Sequence, residues 1–245
     1  MLLSFGHNLN VAVIGAHGGI GAAFFERAEA ALNTRAVFAL SRSPEKKRGH
    51  VFIDIEDEVS IAAAAETLRA QVDGLHVVIV ATGLLHDGAG DGLQPEKSWR
   101  ALDAVNFDRA FRVNATGPAL VAKHFLPLLA RDRKTVFAAL SARVGSISDN
   151  GLGGWYAYRA SKAALNMLIR GLSIELARRN PAALCVGLHP GTVETSLSAP
   201  FRSNVTAENL FSPDRSAACL LDVLDGLTSD DTGGLFAWDG QRIPY

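Results

Sequence analysis

Residues Asn10–Gly21 read NVAVIGAHGGIG, a short apolar run followed at once by a glycine-rich segment. The apolar run predicts a β-strand, and the alanine-rich segment Ile20–Leu32 behind it predicts a helix. Between them, Gly15, Gly19 and Gly21 follow the spacing GxxxGxG. Glycine at such a turn lets the backbone approach a pyrophosphate, which the N-terminus of the helix then stabilises. The segment therefore predicts a dinucleotide-binding strand–turn–helix unit.

The rest of the chain repeats this alternation of short apolar runs and longer helical patterns. Strands are predicted at Asn10–Ile14, Ala36–Leu40, Val51–Ile55, His76–Ala81, Thr135–Leu140, Ala183–Leu188 and Gly234–Trp238. The helices after the first are predicted at Ser60–Val72, Phe107–Ala130, Trp155–Arg179 and Pro213–Leu227. Continuous apolar strands separated by helices are typical of a parallel sheet covered on both faces. We therefore expect an α/β fold with a doubly wound, mostly parallel sheet of the Rossmann type, in a single domain over residues 1–245.

Composition excludes several function classes. The 245 residues include 24 basic and 25 acidic side chains, a formal charge of −1, so neither nucleic acid nor an anionic membrane is an expected partner. No apolar run approaches the roughly 18–20 residues of a membrane helix, and the N-terminus lacks the positive region of a signal peptide. Cys185 and Cys219 lie in apolar settings and read as reduced core residues. The histidines show no metal-binding spacing. We expect a cytoplasmic protein with a small-molecule substrate and no metal.

Tyr158 and Lys162 form the second chemical signal, a YxxxK pair. On a helix this spacing puts the phenol and the ammonium on one face, one turn apart. A phenol with a pKa near 10 transfers protons poorly at neutral pH, but an adjacent cation stabilises the phenolate. Tyr158 is therefore a candidate general acid or base. An exposed pair on a helix face is the alternative.

Taken in order, the motifs are GxxxGxG, Asn114 in VNATGP, Ser141 after the fifth strand, YxxxK and the segment His189–Thr192 (HPGT). This order resembles the compact short-chain dehydrogenase/reductase family over essentially the whole chain. The runs SARVGSISDNGLGGWYAYRASKAALN and FAWDGQRIPY resemble its C-factor-like branch. The resemblance implies an oxidoreductase that moves hydride between a nicotinamide and a carbonyl or secondary alcohol, in a homo-oligomer (dimer or tetramer). Because that branch is named for intercellular signalling, a cofactor-binding regulatory protein with little turnover is the alternative.

The resemblance also assigns catalytic roles. Ser141 would hydrogen-bond the reacting oxygen of the substrate, and Tyr158 would transfer the proton. Lys162 would tune Tyr158 and hold the ribose hydroxyls of the nicotinamide. Ser141 lies 17 residues before Tyr158, a long gap for this family, so Ser146 and Ser148 are alternatives. Ser141 is preferred because it directly ends a strand, where position is best fixed.

Asn114 would, by the same resemblance, anchor a water that connects Lys162 to solvent. The sequence supplies an independent reason to expect a water at Asn114, because Pro118 lies four positions later in a predicted helix. Proline has no N–H, so the carbonyl of Asn114 loses its intrahelical donor and the helix should kink there. A bound water is the natural replacement donor. A kink without function is the alternative.

Cofactor choice depends on the end of the second strand. NAD sites of this architecture place an acid about 20 residues beyond the glycine turn, and here that position is Ser41, followed by Arg42. A serine does not repel a 2′-phosphate, and a guanidinium can pair with it. The first acid after the strand is Glu45. We therefore expect NADP(H) to be preferred, with NAD(H) possible if Arg42 is merely solvated.

Further cofactor positions come from the resemblance alone. Asp54 and Ile55 match a position that contacts adenine, although a solvated aspartate at a strand end is the alternative. The segment Val80–Gly83 (VATG) replaces the family's asparagine-rich segment, so a usual amide support is missing there. A short substrate lid is expected at about residues 192–212. The remaining expected cofactor contacts are Ile20, Ala81, Gly83, Pro190, Gly191 and Thr192.

Overall fold

A mostly parallel sheet forms the centre of the structure, a computed structural model that describes residues 2–43, 49–88, 92–201 and 206–245. Its strands are β1 (Leu9–Ile14), β2 (Thr34–Ser41), β3 (His50–Phe52), β4 (Val77–Val80), β5 (Thr135–Leu140), β6 (Ala183–His189), β9 (Leu235–Ala237) and β10 (Arg242–Ile243). Two further strands, β7 (Thr192–Val193) and β8 (Leu210–Phe211), pair separately in parallel. The main order is β10-β9-β6-β5-β4-β1-β2-β3, and only the β9–β10 pair is antiparallel among these strands. The predicted doubly wound α/β fold is confirmed.

Helices cover both faces of this sheet. They are α1 (Gly19–Ala30), α2 (Glu58–Arg69), α3 (Ala104–Phe111), α4 (Gly117–Phe125), α5 (Tyr156–Arg179) and α6 (Pro213–Gly226). Phe24 of α1 and Leu221 of α6 belong to the apolar cluster on one face. Ile61 of α2, Phe125 of α4 and Leu165 of α5 belong to the cluster on the other face. Burial on both sides explains why the strands are continuously apolar rather than alternating.

The strand order reverses direction at β1, which lies between β2 and β4. At the carboxyl edge, the amide of Gly15 donates to the carbonyl oxygen of Leu40 at 2.8 Å, and the amide of Ala81 donates to that of Ile14 at 2.8 Å. The turns that follow β1 and β4 are therefore neighbours. In open parallel sheets, ligands bind in the crevice at such a reversal.

The single long helix predicted at Phe107–Ala130 is wrong in detail. α3 gives way to a π-helical turn at Arg112–Thr116, α4 follows, and a 3-10 turn at Leu126–Leu128 closes the segment. The amide of Gly117 donates to the carbonyl of Arg112, five residues back. Pro118 supplies no amide hydrogen to the carbonyl of Asn114, so the regular α-helical ladder cannot run through this point. The regular α-helix is therefore interrupted at Asn114, where the kink was predicted, and a bend of the helix axis stays a prediction.

None of the helices in the described residues is long and apolar enough to cross a membrane. In the same ranges, no group of three or more histidine, cysteine, aspartate or glutamate side chains could hold a metal ion. Cys185 is buried, Cys219 is half-buried, and both are free thiols.

Candidate active site

The glycine turn after β1 is built for close backbone contact. Gly15 has a φ of +84°, in the left-handed region that favours glycine. A Cβ on Gly21 would lie 2.1 Å from the carbonyl oxygen of Gly15, so no side chain fits at this position. A Cβ on Gly19 would lie 2.9 Å from Cγ2 of Thr195, which the sequence analysis did not single out. The turn is therefore tight on one side and contacts the predicted lid on the other.

A cavity opens in front of this turn, along the carboxyl ends of β1, β2 and β4. Its lining includes the turn itself, the end of β2, the segment after β3 and the segment after β4. These residues are Ile14, Gly15, His17, Gly18, Ser41, Arg42, Ser43, Ile53, Ile55, Glu56, Ala81, Thr82, Gly83, Leu84, Asp87, Arg109 and Val113. Thr82 Oγ1 is buried and has no hydrogen-bond partner. A glycine cradle with an unpartnered buried hydroxyl in its wall fits a large polar ligand such as a dinucleotide.

The end of β2 carries no carboxylate. Ser41 is buried, accepts a hydrogen bond from the amide of Ser43 at 3.3 Å, and lies 3.4 Å from Nδ1 of His17. Arg42 is exposed and lines the cavity. The predicted acid Glu45 and the basic run 46–48 lie outside the described residues. A serine followed by a cation therefore lies where an NAD site of this architecture would place an acid.

Of the two predicted adenine contacts in the segment after β3, Ile55 lines the cavity and Asp54 does not. Ile55 lines the cavity, together with Glu56, which the sequence analysis did not identify. Asp54 instead uses its Oδ1 to accept the amide of Glu56 at 3.0 Å, and its own amide donates to Ser60 at 2.8 Å. The carboxylate of Asp54 thus stabilises a local turn.

Tyr158 and Lys162 lie one turn apart on α5, with Lys162 Nζ 5.7 Å from the centre of the Tyr158 ring. The ammonium donates to the carbonyl oxygen of Leu140 at 2.8 Å. It also lies 3.8 Å from the position of a Cβ on Gly83, in the cavity wall. Burial raises the pKa of Tyr158 to about 12 and lowers the pKa of Lys162 to about 7, because each charge would lose its hydration.

Asn114 is fully buried in the π-helical turn, and its amide group connects two elements. Its Oδ1 accepts the amide of Leu84 at 2.8 Å, and its Nδ2 donates to the carbonyl oxygen of Leu84 at 2.7 Å. The same Nδ2 donates to Ser161 Oγ at 3.0 Å, and Ser161 donates to the carbonyl of Tyr158 at 2.8 Å. Asn114 therefore fixes the segment after β4 against the helix that carries Tyr158.

Ser141 directly follows β5, as predicted, and is buried. Its hydroxyl donates to Oδ1 of Asn166 at 2.7 Å, and Nδ2 of Asn166 donates to the carbonyl of Gly145 at 3.3 Å. The alternatives have other partners, because Ser146 Oγ accepts the amide of Asp149 at 3.2 Å and Ser148 donates to the carbonyl of Tyr245 at 2.6 Å. The proton of Ser141 is thus engaged inside the protein.

The expected contacts after β6 pack against β8, α6 and Trp238. Gly191 has a φ of +78°, and a Cβ there would lie 3.1 Å from Trp238 and 3.2 Å from Phe211. The carbonyl of Pro190 accepts the hydroxyl of Ser216 at 2.8 Å. Thr192 pairs with Leu210 in the small β7–β8 sheet, which closes the base of the predicted lid. Residues 202–205 of this lid lie outside the described ranges.

Comparison with known proteins agrees with this geometry. A family model described as short chain dehydrogenase matches residues 9–206. The chain belongs to the short-chain dehydrogenase family. It is an oxidoreductase of the class that acts on a carbonyl or an alcohol, and it uses a nicotinamide dinucleotide.

Individual relatives of this short-chain dehydrogenase span most of its length. An uncharacterized oxidoreductase of Schizosaccharomyces pombe is 28% identical over 255 residues, covering 95% of this chain and 96% of the relative. The C-signal of Myxococcus xanthus is 38% identical over 150 residues, covering 60% of this chain and 85% of the relative. The NADPH-bound carbonyl reductase from chicken fatty liver superposes with a TM-score of 0.82 at 26% identity, covering 98% and 95% of the two chains.

Proposed function

We propose that this short-chain dehydrogenase is an NADPH-preferring carbonyl reductase, with Tyr158 as the proton donor. The observation that carries the proposal is the position of Lys162. Its Nζ lies beside the Tyr158 ring and, at 3.8 Å from a Cβ position on Gly83, at the wall of the glycine-turn cavity. One helical turn of α5 therefore connects the cofactor cavity to an ionisable hydroxyl.

The nicotinamide, when bound, supplies or accepts the hydride. We assign the pyrophosphate to the amides of the Gly15 turn, and adenine to Ile55. We assign the 2′-phosphate to Arg42, because a guanidinium forms charge-assisted hydrogen bonds with phosphate. We assign the hydroxyls of the nicotinamide ribose to Lys162, which would bind them. Gly19, Ile20, Ala81 and residues 190–192 would complete the contacts.

Proton transfer follows from the burial of the pair. Burial disfavours a lone phenolate at Tyr158 and a lone ammonium at Lys162, in both cases through lost hydration. A phenolate beside an ammonium has no net charge, so the two charges stabilise each other at this site. Tyr158 would give its proton to the substrate oxygen, and Lys162 would restore it. The buried Asn114, with its irregular helix, would hold the water that connects Lys162 to solvent.

Ser141 is the proposed partner of the reacting oxygen. Because the Ser141 hydroxyl donates its hydrogen bond to Asn166 Oδ1, Ser141 Oγ can accept a hydrogen bond from an alcohol without moving. To donate to a carbonyl, the hydroxyl must rotate away from Asn166. Ser141→Ala should therefore lower kcat for carbonyl reduction by about 10- to 1,000-fold, whereas Ser146→Ala should not. The reverse ranking of the two variants would assign the role to Ser146.

Turnover tests the proposal directly. Purified protein is incubated with NADPH and a panel of aldehydes, ketones and quinones, and cofactor oxidation is followed together with alcohol formation. Stoichiometric reduction of panel members is expected. The similarity to the C-signal favours one other candidate, a regulatory protein that binds the cofactor with little turnover. Tight NADPH binding without reduction of any compound would favour that candidate.

Assembly and location complete the proposal. Helix α5 exposes the apolar side chains of Met167 (73% exposed) and Ile174 (44% exposed), which suit a contact between two copies of the chain. We therefore propose a homo-oligomer, to be measured by light scattering. The free thiols of Cys185 and Cys219 fit a reducing compartment such as the cytoplasm.

A further inference from the structure

Three consecutive residues in front of α5 have left-handed backbone conformations. Gly153 has a φ of 64°, Gly154 a φ of 67° and Trp155 a φ of 50°. Glycine adopts this region freely, but a residue with a Cβ is strained there. Strained residues persist where their surroundings hold them, and they cluster at functional sites. Trp155 is therefore the unexpected residue of this segment.

Glu96, from the long segment between β4 and α3, holds Trp155 in place. The amide of Trp155 donates to the carbonyl oxygen of Glu96 at 2.6 Å, and the amide of Ala157 donates to Oε2 of the same residue at 3.2 Å. Glu96 is only 4% exposed. Both contacts hold the backbone at the start of α5, so the position of Trp155 in the chain is fixed relative to Tyr158.

The Trp155 ring is part of an aromatic wall, which consists of His86, Trp155 and Phe201 next to Tyr158. The Trp155 ring lies 4.9 Å from the Phe201 ring, tilted by 58°, and 6.3 Å edge-on from the Tyr158 ring. The His86 ring lies 5.8 Å from that of Phe201. Each of these four side chains is only partly buried. Ring surface therefore remains accessible beside the proposed proton donor.

We propose that Trp155, with Phe201, determines substrate specificity by selecting carbonyl compounds that carry a flat aromatic or conjugated group next to the carbonyl. The inference rests on the proposed function, because it takes Tyr158 as the residue that meets the reacting oxygen. A group attached to that carbon then lies against the aromatic wall. Flat rings gain stacking and edge-to-face contacts there beyond what area burial gives, and a saturated ring of similar size does not.

The test compares acetophenone with cyclohexyl methyl ketone, which have six-membered rings of similar size. In Trp155→Gly the ring is lost while the left-handed backbone is relieved, so the fold should be retained. The ratio of kcat/KM for the aromatic over the saturated ketone should fall roughly 3- to 10-fold relative to the unmodified protein. Phe201→Leu should change it in the same direction. Trp99→Ala, at an exposed tryptophan, is the control and should leave the ratio unchanged.

Binding of the two ketones to the protein–NADP⁺ complex, measured by saturation-transfer NMR, gives the same comparison without turnover. A preference for acetophenone that Trp155→Gly abolishes supports the wall even if neither ketone is reduced, a result that would contradict only the proposed function. Equal ratios in Trp155→Gly and the unmodified protein, in kinetics or in binding, would overturn the inference.

Discussion

Lys162 lies one helical turn from Tyr158, with its Nζ 5.7 Å from the centre of the phenol ring. The same Nζ donates to the carbonyl of Leu140 at 2.8 Å, so the side chain also ties α5 to the end of β5. Burial lowers the pKa of Lys162 to about 7 and raises that of Tyr158 to about 12. Burial thus favours the uncharged form of each group: Tyr158 stays a neutral phenol to higher pH, and the neutral amine of Lys162 becomes populated near pH 7.

Stability of the cofactor-free protein should rise with pH because of Lys162. Its pKa of about 7 in the folded state lies below the ordinary 10.5, so between these values the unfolded chain binds the extra proton. The free energy of unfolding should therefore increase by about 2 kcal/mol from pH 7 to pH 9. Urea unfolding of Lys162→Met should lack this increase. A variant with the same pH dependence as the unmodified protein would show that Lys162 is charged in the fold.

Gly145 should tolerate no side chain, because a Cβ there would lie 2.7 Å from Cβ of Lys162. We expect Gly145→Ala to lower the free energy of unfolding by about 1–3 kcal/mol and to displace α5. The control is Gly171→Ala in α5, where a Cβ would meet no atom within 4 Å outside its own helical turns, so alanine should stabilise by about 0.5–1 kcal/mol. Equal stability of the two variants in denaturant titrations would contradict the close packing.

Glu96 should stabilise the start of α5 through its carboxylate. Glu96→Ala leaves the amide of Ala157 without its acceptor and should cost about 1–3 kcal/mol in unfolding free energy. Glu96→Gln keeps an acceptor oxygen and should recover most of the loss. If both variants unfold alike, the charge near the helix N-terminus matters more than the hydrogen bond.

The sequence predicted the sheet and the glycine turn because both depend on local pattern. Apolar runs such as Thr135–Leu140 match the observed strand, and Pro118 correctly marked the irregular helix at Asn114. Contacts between distant segments were not predictable. Glu96 lies 61 residues from Ala157, and its neighbours in sequence show no sign of the helix that it caps.

Ser141 illustrates the same limit. Its position at the end of β5 could be read from the sequence, but its hydroxyl donates to Asn166, 25 residues away. Spacing therefore indicated where the side chain lies and not how it is used. Arg109 and Asp87 were also missed, because their 2.5 Å ion pair joins α3 to the segment after β4 at the cavity.

Arg42 should determine the choice between the two nicotinamide cofactors. Arg42→Ala removes the guanidinium that follows β2 at the cavity and should weaken NADPH binding by about 5- to 100-fold, with little effect on NADH. Arg35→Ala, at the opposite end of the same strand, is the control. Dissociation constants are measured by fluorescence titration. Equal constants for the two cofactors in the unmodified protein would refute the preference.

The central claim is that the hydroxyl of Tyr158 carries the proton. Tyr158→Phe keeps the ring and its contact with Trp155 but removes the ionisable group. The decisive measurement is kcat for carbonyl reduction by this variant, together with its dissociation constant for NADPH. We predict that kcat falls by at least about 100-fold while the dissociation constant stays nearly unchanged. Retention of most of the activity with normal cofactor binding would contradict the account.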